Sequence, residues 1–239
     1  MSFRMSFNNT TLPLRIRKVS GRGPIQQEVV RQVRITGGSH YVKSRLLERV
    51  LTVDYAILTS GLEDNRAKID ALNSILFVKE PVPIVFSDEP TKTYYGILDG
   101  TQDFEEMIFK GEGNLVFLCP DPYKYGTERT YTLSSSPIVN GGTASTDAIF
   151  TATFTASATE FKITHQQTGK FVRVIWNFVQ GDVLVIDLSK RKITINNNLQ
   201  MAAYDWMSQP FQLQPGNNNF TLTPSNVTTT QIKFKPRWF

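Results

Sequence analysis

The feature that most constrains this chain is a recurring period of two. Leu51, Val53, Tyr55 and Ile57 alternate with Thr52, Asp54 and Ala56, and Phe150, Ala152, Phe154 and Ala156 alternate with Thr151, Thr153 and Thr155. Successive side chains on a strand point to opposite faces, so such runs predict strands with one face on a core. Between the runs stand turn-forming clusters, among them Ser20-Gly21-Arg22-Gly23-Pro24, Thr36-Gly37-Gly38-Ser39, Gln180-Gly181-Asp182 and Pro215-Gly216-Asn217. Gly, Pro, Asn and Asp supply turn conformations that other residues reach only at a cost. A chain punctuated in this way folds as mainly β.

One segment breaks the period. Ser60-Gly61-Leu62-Glu63 has the spacing of a capping box, in which Ser60 accepts from the Glu63 N–H and the Glu63 side chain reaches back. Asp64 adds negative charge where the helix dipole favours it. Leu62, Ile69, Leu72 and Leu76 follow at helical spacing, and Pro81 and Pro83 predict an end near Val78. Residues 83–86 and 93–98 flank the polar stretch Ser87-Asp88-Glu89-Pro90-Thr91-Lys92, which reads as a hairpin. Residues 104–108 and 114–119 supply two further strands, and Pro120-Asp121-Pro122 closes a β-rich unit carrying one helix.

A length of 239 residues suits two modest domains, with the boundary expected near residue 130. Domain one is then 1–130 and domain two 131–239. Strands are predicted over residues 161–164, 170–178, 183–188, 192–196, 219–223 and 231–235, which indicates a β-sandwich or jelly roll. Val172, Val174, Trp176 and Phe178 share one apolar face, which places Trp176 in the core.

Charge is polarised along the chain. Residues 1–50 carry ten Lys/Arg against two Asp/Glu, and residues 51–130 carry seven against fourteen. Blocks this distinct suit pairing with each other, within one fold or between copies. A nucleic-acid surface would gather its cations on one face, often with stacking aromatics. Here Arg15, Arg17, Lys18, Arg22, Arg31 and Arg34 are spread among strand-like residues.

Several chemistries lack their residues. The one cysteine, Cys119, allows no intrachain disulfide, and with only His40 and His165 the chain barely has the partners that a Cys/His zinc site needs. Cys119 ends an apolar run and reads as a buried, inert thiol. Asp99, Asp103, Glu105 and Glu106 form the densest carboxylate cluster, but strand alternation makes Glu105 and Glu106 diverge, and no series of cleft aromatics accompanies them. Gly21-Arg22-Gly23 lacks the rest of any phosphate-binding fingerprint. No catalytic constellation and no cofactor are expected. No apolar run approaches the ~20 residues of a membrane span. The N-terminal residues lack the apolar core of a signal peptide, so folding in a cytoplasm without membrane insertion is expected. Tyr204 and Trp206 lie in a loop-like stretch and are candidate exposed aromatics, which keeps open a stand-alone carbohydrate-binding or adhesion module.

One stretch carries a family likeness. Glu80-Pro81, Phe86-Ser87-Asp88-Glu89-Pro90, Tyr94-Tyr95-Gly96 and Asp121-Pro122-Tyr123-Lys124-Tyr125-Gly126 resemble the distal tail protein family of long-tailed bacteriophages. The Ser20-Gly21-Arg22-Gly23 turn, the helix after Ser60, residues 181–187 and 192–196 and the closing Pro236-Arg237-Trp238-Phe239 are also similar. Where the family commonly has an Ile-Asn-Gly turn, this chain has Ile195-Asn196-Asn197, and Asn also tolerates positive φ.

The resemblance implies a tail-tube-like N-terminal β-sandwich with one helix and a galectin-like C-terminal β-sandwich or jelly roll. It implies a homo-hexameric ring at the distal end of a virion tail, assembled in the host bacterial cytoplasm. The ring would join the phage tail tube protein to the tail-associated hub protein and offer an outer platform for receptor-binding and other baseplate proteins. DNA would pass through its channel without sequence-specific binding. In such a ring the charge blocks point to contacts between copies, with Arg22, Arg31 and Arg34 facing Asp88, Glu89, Asp103 and Glu105 of the next subunit.

Overall fold

The computed structural model describes residues 3–100, 104–107, 109–133 and 137–239. The chain divides into two compact units, one of residues 1–125 with Phe239 and one of residues 126–238. Both are mainly β, and the described residues contain one α-helix.

In the first unit the strands are β1 (Met5–Phe7), β2 (Thr10–Thr11), β3 (Arg15–Ser20), β4 (Gln27–Val33), β5 (Ser39–Leu46) and β6 (Arg49–Leu58). Helix α1 (Leu62–Leu76) follows, then β7 (Val82–Phe86), β8 (Tyr94–Gly100), β9 (Glu105–Met107), β10 (Lys110–Cys119) and the short β11 (Lys124–Tyr125). Their order in the main sheet is β2-β1-β7-β8-β10-β6-β3, with β9 also on β10. β8 serves two halves of this sheet: Tyr94 and Gly96 pair with Ile84 and Val82, while Ile97 and Leu98 pair with Leu118 and Phe117.

Gly96 stands where β8 passes from pairing with β7 to pairing with β10. A Cβ there would lie 2.8 Å from Cys119 Sγ and 3.2 Å from the Leu118 carbonyl oxygen, so a larger residue would have to push the Cys119 side chain aside. Phe7 of β1 and Phe117 of β10 meet with ring centroids 5.3 Å apart, although three inter-strand steps separate them, so the sheet curves around its core. The predicted inward face of β6 is in the core: Leu51, Val53, Tyr55 and Ile57 are buried together with Phe86, Tyr94 and Leu115.

The helix start differs from the expected capping box. The helix begins after Gly61, and the carboxylate reaching back is Asp64, whose Oδ2 accepts from the Ser60 N–H at 2.8 Å. Lys68, one turn on, donates to the same oxygen at 2.8 Å. Asp64 lies a full turn beyond Ser60, which lets it also serve Lys68 at (i, i+4). The helix ends at Leu76, and Leu72 and Leu76 are buried.

In the second unit the strands are β12 (Arg129–Thr132), β13 (Ile138–Asn140), β14 (Ala148–Phe154), β15 (Ala158–His165), β16 (Phe171–Phe178), β17 (Val183–Asp187), β18 (Lys192–Ile195), β19 (Asn198–Leu199), β20 (Gly216–Asn218), β21 (Phe220–Thr223), β22 (Thr228–Phe234) and β23 (Arg237–Trp238). A six-stranded sheet, β12-β22-β14-β17-β18-β19, packs on a three-stranded sheet, β16-β15-β21, with the apolar faces inward. Phe154 and Phe178 stack between them at 4.0 Å, as expected where two sheet faces interdigitate.

Asn196 and Asn197 both take positive φ, 50° and 65°, where they link β18 to β19. Trp176 departs from the expected core face and is 37% exposed. The register between β15 and β16 shifts by one residue between the Glu160–Ile175 and Ala158–Phe178 pairs, and Trp176 sits in the resulting bulge.

Candidate assembly surfaces

The residues that carry the family likeness in the first unit gather around one guanidinium. Gly21 turns the chain with φ of 85°, and a Cβ there would stand 1.8 Å from the Val50 carbonyl oxygen, so the position admits only glycine. The turn delivers Arg22 to the tip of the β7–β8 hairpin. Arg22 NH1 lies 2.9 Å from Asp88 Oδ2 and NH2 lies 3.0 Å from Glu89 Oε2, while its Cζ sits 4.5 Å from the centre of the Phe86 ring.

Glu89 also receives Lys92 Nζ at 2.9 Å and Lys124 Nζ at 3.6 Å. The Lys92 hydrogen bond and the Arg22 hydrogen bond overcome partial burial and hold the Glu89 carboxyl at about 2. Burial works against the charge of Arg22, but hydrogen bonds to Asp88, Tyr94 and Glu89 outweigh it and raise the guanidinium further above its ordinary value. The signature around Asp121 closes on the same tip. Asp121 accepts from the Tyr123 N–H at 3.1 Å and from the Tyr125 hydroxyl, and Thr93 and Tyr125 exchange both backbone bonds at 2.8 Å.

Arg49 completes this cluster. The residue is only 6% exposed, and it donates from Nε to the Pro122 carbonyl at 2.9 Å and from NH1 to the Gly21 and Gly23 carbonyls at 2.7 and 3.1 Å. It thereby ties the Gly-Arg-Gly turn to the Pro-Asp-Pro exit. The signal was present in the strand's period: Arg49 has the same parity as Leu51, Val53, Tyr55 and Ile57, so alternation aims it inward.

The basic–acidic pairing expected between copies is therefore made, for Arg22, Asp88 and Glu89, inside one chain. Arg17 does the same on β3, with NH2 2.5 Å from Glu112 Oε1 on β10. Glu105 stands exposed on β9, in register with Glu112. Asp103 lies outside the described residues.

Arg31 and Arg34 have a different setting. β4 and β5 form a two-stranded sheet of their own, and every residue from 31 to 45 is exposed. Arg34 meets His40 at 3.3 Å, Arg45 meets Glu28 at 2.5 Å, and Arg31 and Lys43 have no ion pair among the described residues. Val33 is 79% exposed and Ile35 fully so, with Val29, Tyr41 and Val42 each more than half exposed. An isolated two-stranded hairpin is marginal in water, and this one leaves five large apolar side chains in solvent.

In the second unit, the loop after the short 3₁₀ helix (Met201–Ala203) carries the two candidate aromatics. Trp206 is 88% exposed. Tyr204 is half-buried, contrary to its expected exposure, because it bridges to Val174 of β16 and donates its hydroxyl to the Ser208 carbonyl at 3.4 Å. Among the described residues, the two histidines have structural partners: His40 meets Arg34 on the hairpin. His165 is buried, with Nε2 2.9 Å from Asn218 Oδ1 and Nδ1 2.9 Å from Thr168 Oγ1, and stacks on Phe211. Cys119 is fully buried, and burial pushes its thiol up to about 12. Among the described residues, no group of three His, Cys, Asp or Glu could hold a metal ion, and no helix is long and apolar enough to cross a membrane.

The two units correspond to two phage tail families. Residues 9–119 match the phage tail protein RIFT-related domain, and residues 141–238 match the siphovirus-type tail component C-terminal domain. The class is thus that of siphovirus-type tail components. The distal tail protein of Bacillus phage SPP1 is 34% identical over 225 residues, covering 90% of this chain and 89% of that protein. The crystal structure of SPP1 Dit, described as a paradigm of the hub adsorption apparatus in phages infecting Gram-positive bacteria, superposes with a TM-score of 0.88 at 27% identity over 99% of both chains. A chain of the phage P2 baseplate in its activated conformation with Ca superposes at 0.53 with 10% identity, covering 98% of this chain and 97% of that one, a likeness of fold alone. This chain belongs to the distal tail protein family, and its role is structural, in a phage tail.

Proposed function

We propose that the first unit forms a hexameric ring at the tail tip, joining the tail tube protein to the hub protein below, and that the second unit offers an outer platform for receptor-binding or other baseplate proteins. The ring role falls to residues 1–130 and the platform role to 131–239. The observation that carries this reading is the β4–β5 hairpin, a two-stranded ribbon with Arg31, Lys43 and five large apolar side chains left in solvent. A head-to-tail interface whose rotation closes needs one such projecting surface and a complementary face elsewhere on the same chain. Glu105, exposed on β9, is a candidate on that second face. Cationic residues among apolar ones would fix register while the apolar area supplied affinity.

Sedimentation of the purified protein tests the reading. A concentration-dependent species of hexamer mass is expected, and Arg31→Glu with Arg34→Glu should shift it towards the monomer. A double variant that assembles as the parent does would remove the hairpin from the interface. Persistent monomer at the highest attainable concentration, with and without the tail tube and hub proteins, would remove the ring.

A further inference from the structure

The second unit holds a cavity of about 380 Å³ where β17 turns into β18, beside the Trp206 loop. Its walls are apolar at Leu188, Met201, Tyr204 and Pro210 and cationic at Arg191 and Lys192. Asp187 also lines it, but Asp187 Oδ1 is engaged by the Ser189 N–H and hydroxyl and the Lys190 N–H, at 2.9 to 3.0 Å. Lys190, Arg191 and Lys192 are exposed, and none has an ion pair among the described residues. The site therefore has an apolar floor and a net positive rim, on which Arg191 and Lys192, with Lys190 beside them, outnumber the one carboxylate, Asp187.

Two features show that the site is held in place. Arg191 has φ of 50°, a conformation uncommon for a residue with a long side chain and ordinarily given to Gly or Asn in a hairpin turn. Met201 is fixed against β18, its sulfur accepting from the Ile193 N–H at 3.4 Å. The loop above is tied down: Asp205 accepts from Met207 N–H at 3.0 Å and pairs with Arg173 at 3.4 Å, and Arg173 N–H donates to Ser208 Oγ at 2.9 Å. On this braced loop, Trp206 is 88% and Met207 59% exposed. A small ligand filling the cavity would leave both in water, whereas a protein segment could cover them. Exposed Trp on a rigid support is the kind of residue that dominates protein interfaces.

From the cavity, its cationic rim and the braced Trp206, we infer that this corner of the second unit docks an acidic segment of a protein partner, one apolar side chain entering the cavity and flanking carboxylates meeting Arg191 and Lys192. This deepens the outer-platform part of the proposed function and rests on it only for the partner's place in the tail.

The test uses the full chain with ¹³C-methyl methionine and an N-acetylated seven-residue peptide of alternating glutamate and leucine. Saturable movement of the Met201 methyl signal is expected. The peptide with glutamine in place of glutamate should bind at least tenfold more weakly. Arg191→Gly with Lys192→Gln should weaken the acidic peptide by a similar factor, and because glycine is at ease at that φ the thermal midpoint should not fall. Equal binding of the two peptides, or no saturable shift, overturns the inference. So does soluble polyglycerol phosphate moving Met201 at lower concentration than the peptide does, which would make the cavity a site for an anionic polyol phosphate polymer. Sedimentation of the same double variant separates the two proposals, since loss of peptide binding at unchanged mass concerns the cavity alone.

Discussion

The basic N-terminal block meets two fates within thirty residues. Arg22 is drawn into the fold, with two carboxylates, an aromatic face and a glycine turn arranged around it. Arg31 stands on a ribbon exposed on both sides. Composition does not distinguish these arginines. The difference lies in what the chain builds opposite them: the β7–β8 tip and the Pro-Asp-Pro exit for one, solvent for the other. Charges with partners inside a chain stabilise that chain, and charges without them are free to set contacts with another molecule.

The largest effect should come from the turn that makes the first fate possible. Gly21→Ala combines left-handed backbone with a Cβ 1.8 Å from a carbonyl oxygen. Left-handed backbone alone costs a non-glycine residue ~1–2 kcal/mol, and the clash should carry the loss beyond ~3 kcal/mol. Urea unfolding of the first unit measures it. An Ala variant within experimental error of the parent would mean that the Gly-Arg-Gly turn does not hold Arg22 as described.

Arg22→Ala should cost less, about 2 kcal/mol, the scale of losing hydrogen bonds to charged groups while Lys92 and Lys124 still attend Glu89. The same urea transition reports it, and hexamer mass should be unchanged. If stability held and assembly failed, Arg22 would belong with Arg31 after all.

Acid separates the two units. The Glu89 carboxyl is depressed from 4.5 to about 2, so its contribution is complete above 4.5 and is lost as pH falls from there towards 2. Glu89→Gln should flatten stability against pH in that window. In the second unit, burial lowers His165 below its ordinary 6.5. The unfolded chain takes up that proton first, so the second unit should begin to lose stability as pH falls below 6.5, while the Glu89 cluster is still intact. Denaturation followed separately by fluorescence and by methyl signals of each unit would show whether the order holds.

Much of this was legible in the sequence. Alternation located β6, β14 and most of β16, and the charge blocks announced that basic and acidic segments meet. Charge sign cannot say whether they meet within a chain or across copies, because that depends on which turns bring them within 3 Å. Arg49 was readable from parity but is easily overlooked, since an arginine among inward-facing residues looks like a strand terminus. Trp176 was misplaced because a one-residue bulge leaves no mark in the pattern. The hairpin's turns were legible as the Gly-bearing clusters at 20–24 and 36–39, but Val29, Val33 and Ile35 resemble core residues in composition, and only the absence of a sheet against them shows their exposure.

The smallest effect on folding is the most informative. Arg31→Glu with Arg34→Glu should leave the unfolding free energy within ~0.5 kcal/mol of the parent, because both side chains are exposed and the one contact affected is Arg34 with His40. Ion pairs of the first unit outside the hairpin, such as Arg22 with Asp88 and Glu89 and Arg17 with Glu112, are untouched by the change. Unfolding and sedimentation measured on the same preparation then discriminate sharply. Unchanged stability with reduced hexamer assigns the hairpin charges to a neighbouring subunit. Reduced stability would place them in the same category as Arg22, and the contrast between the two arginines would be one of degree, set by how much of each side chain the fold covers.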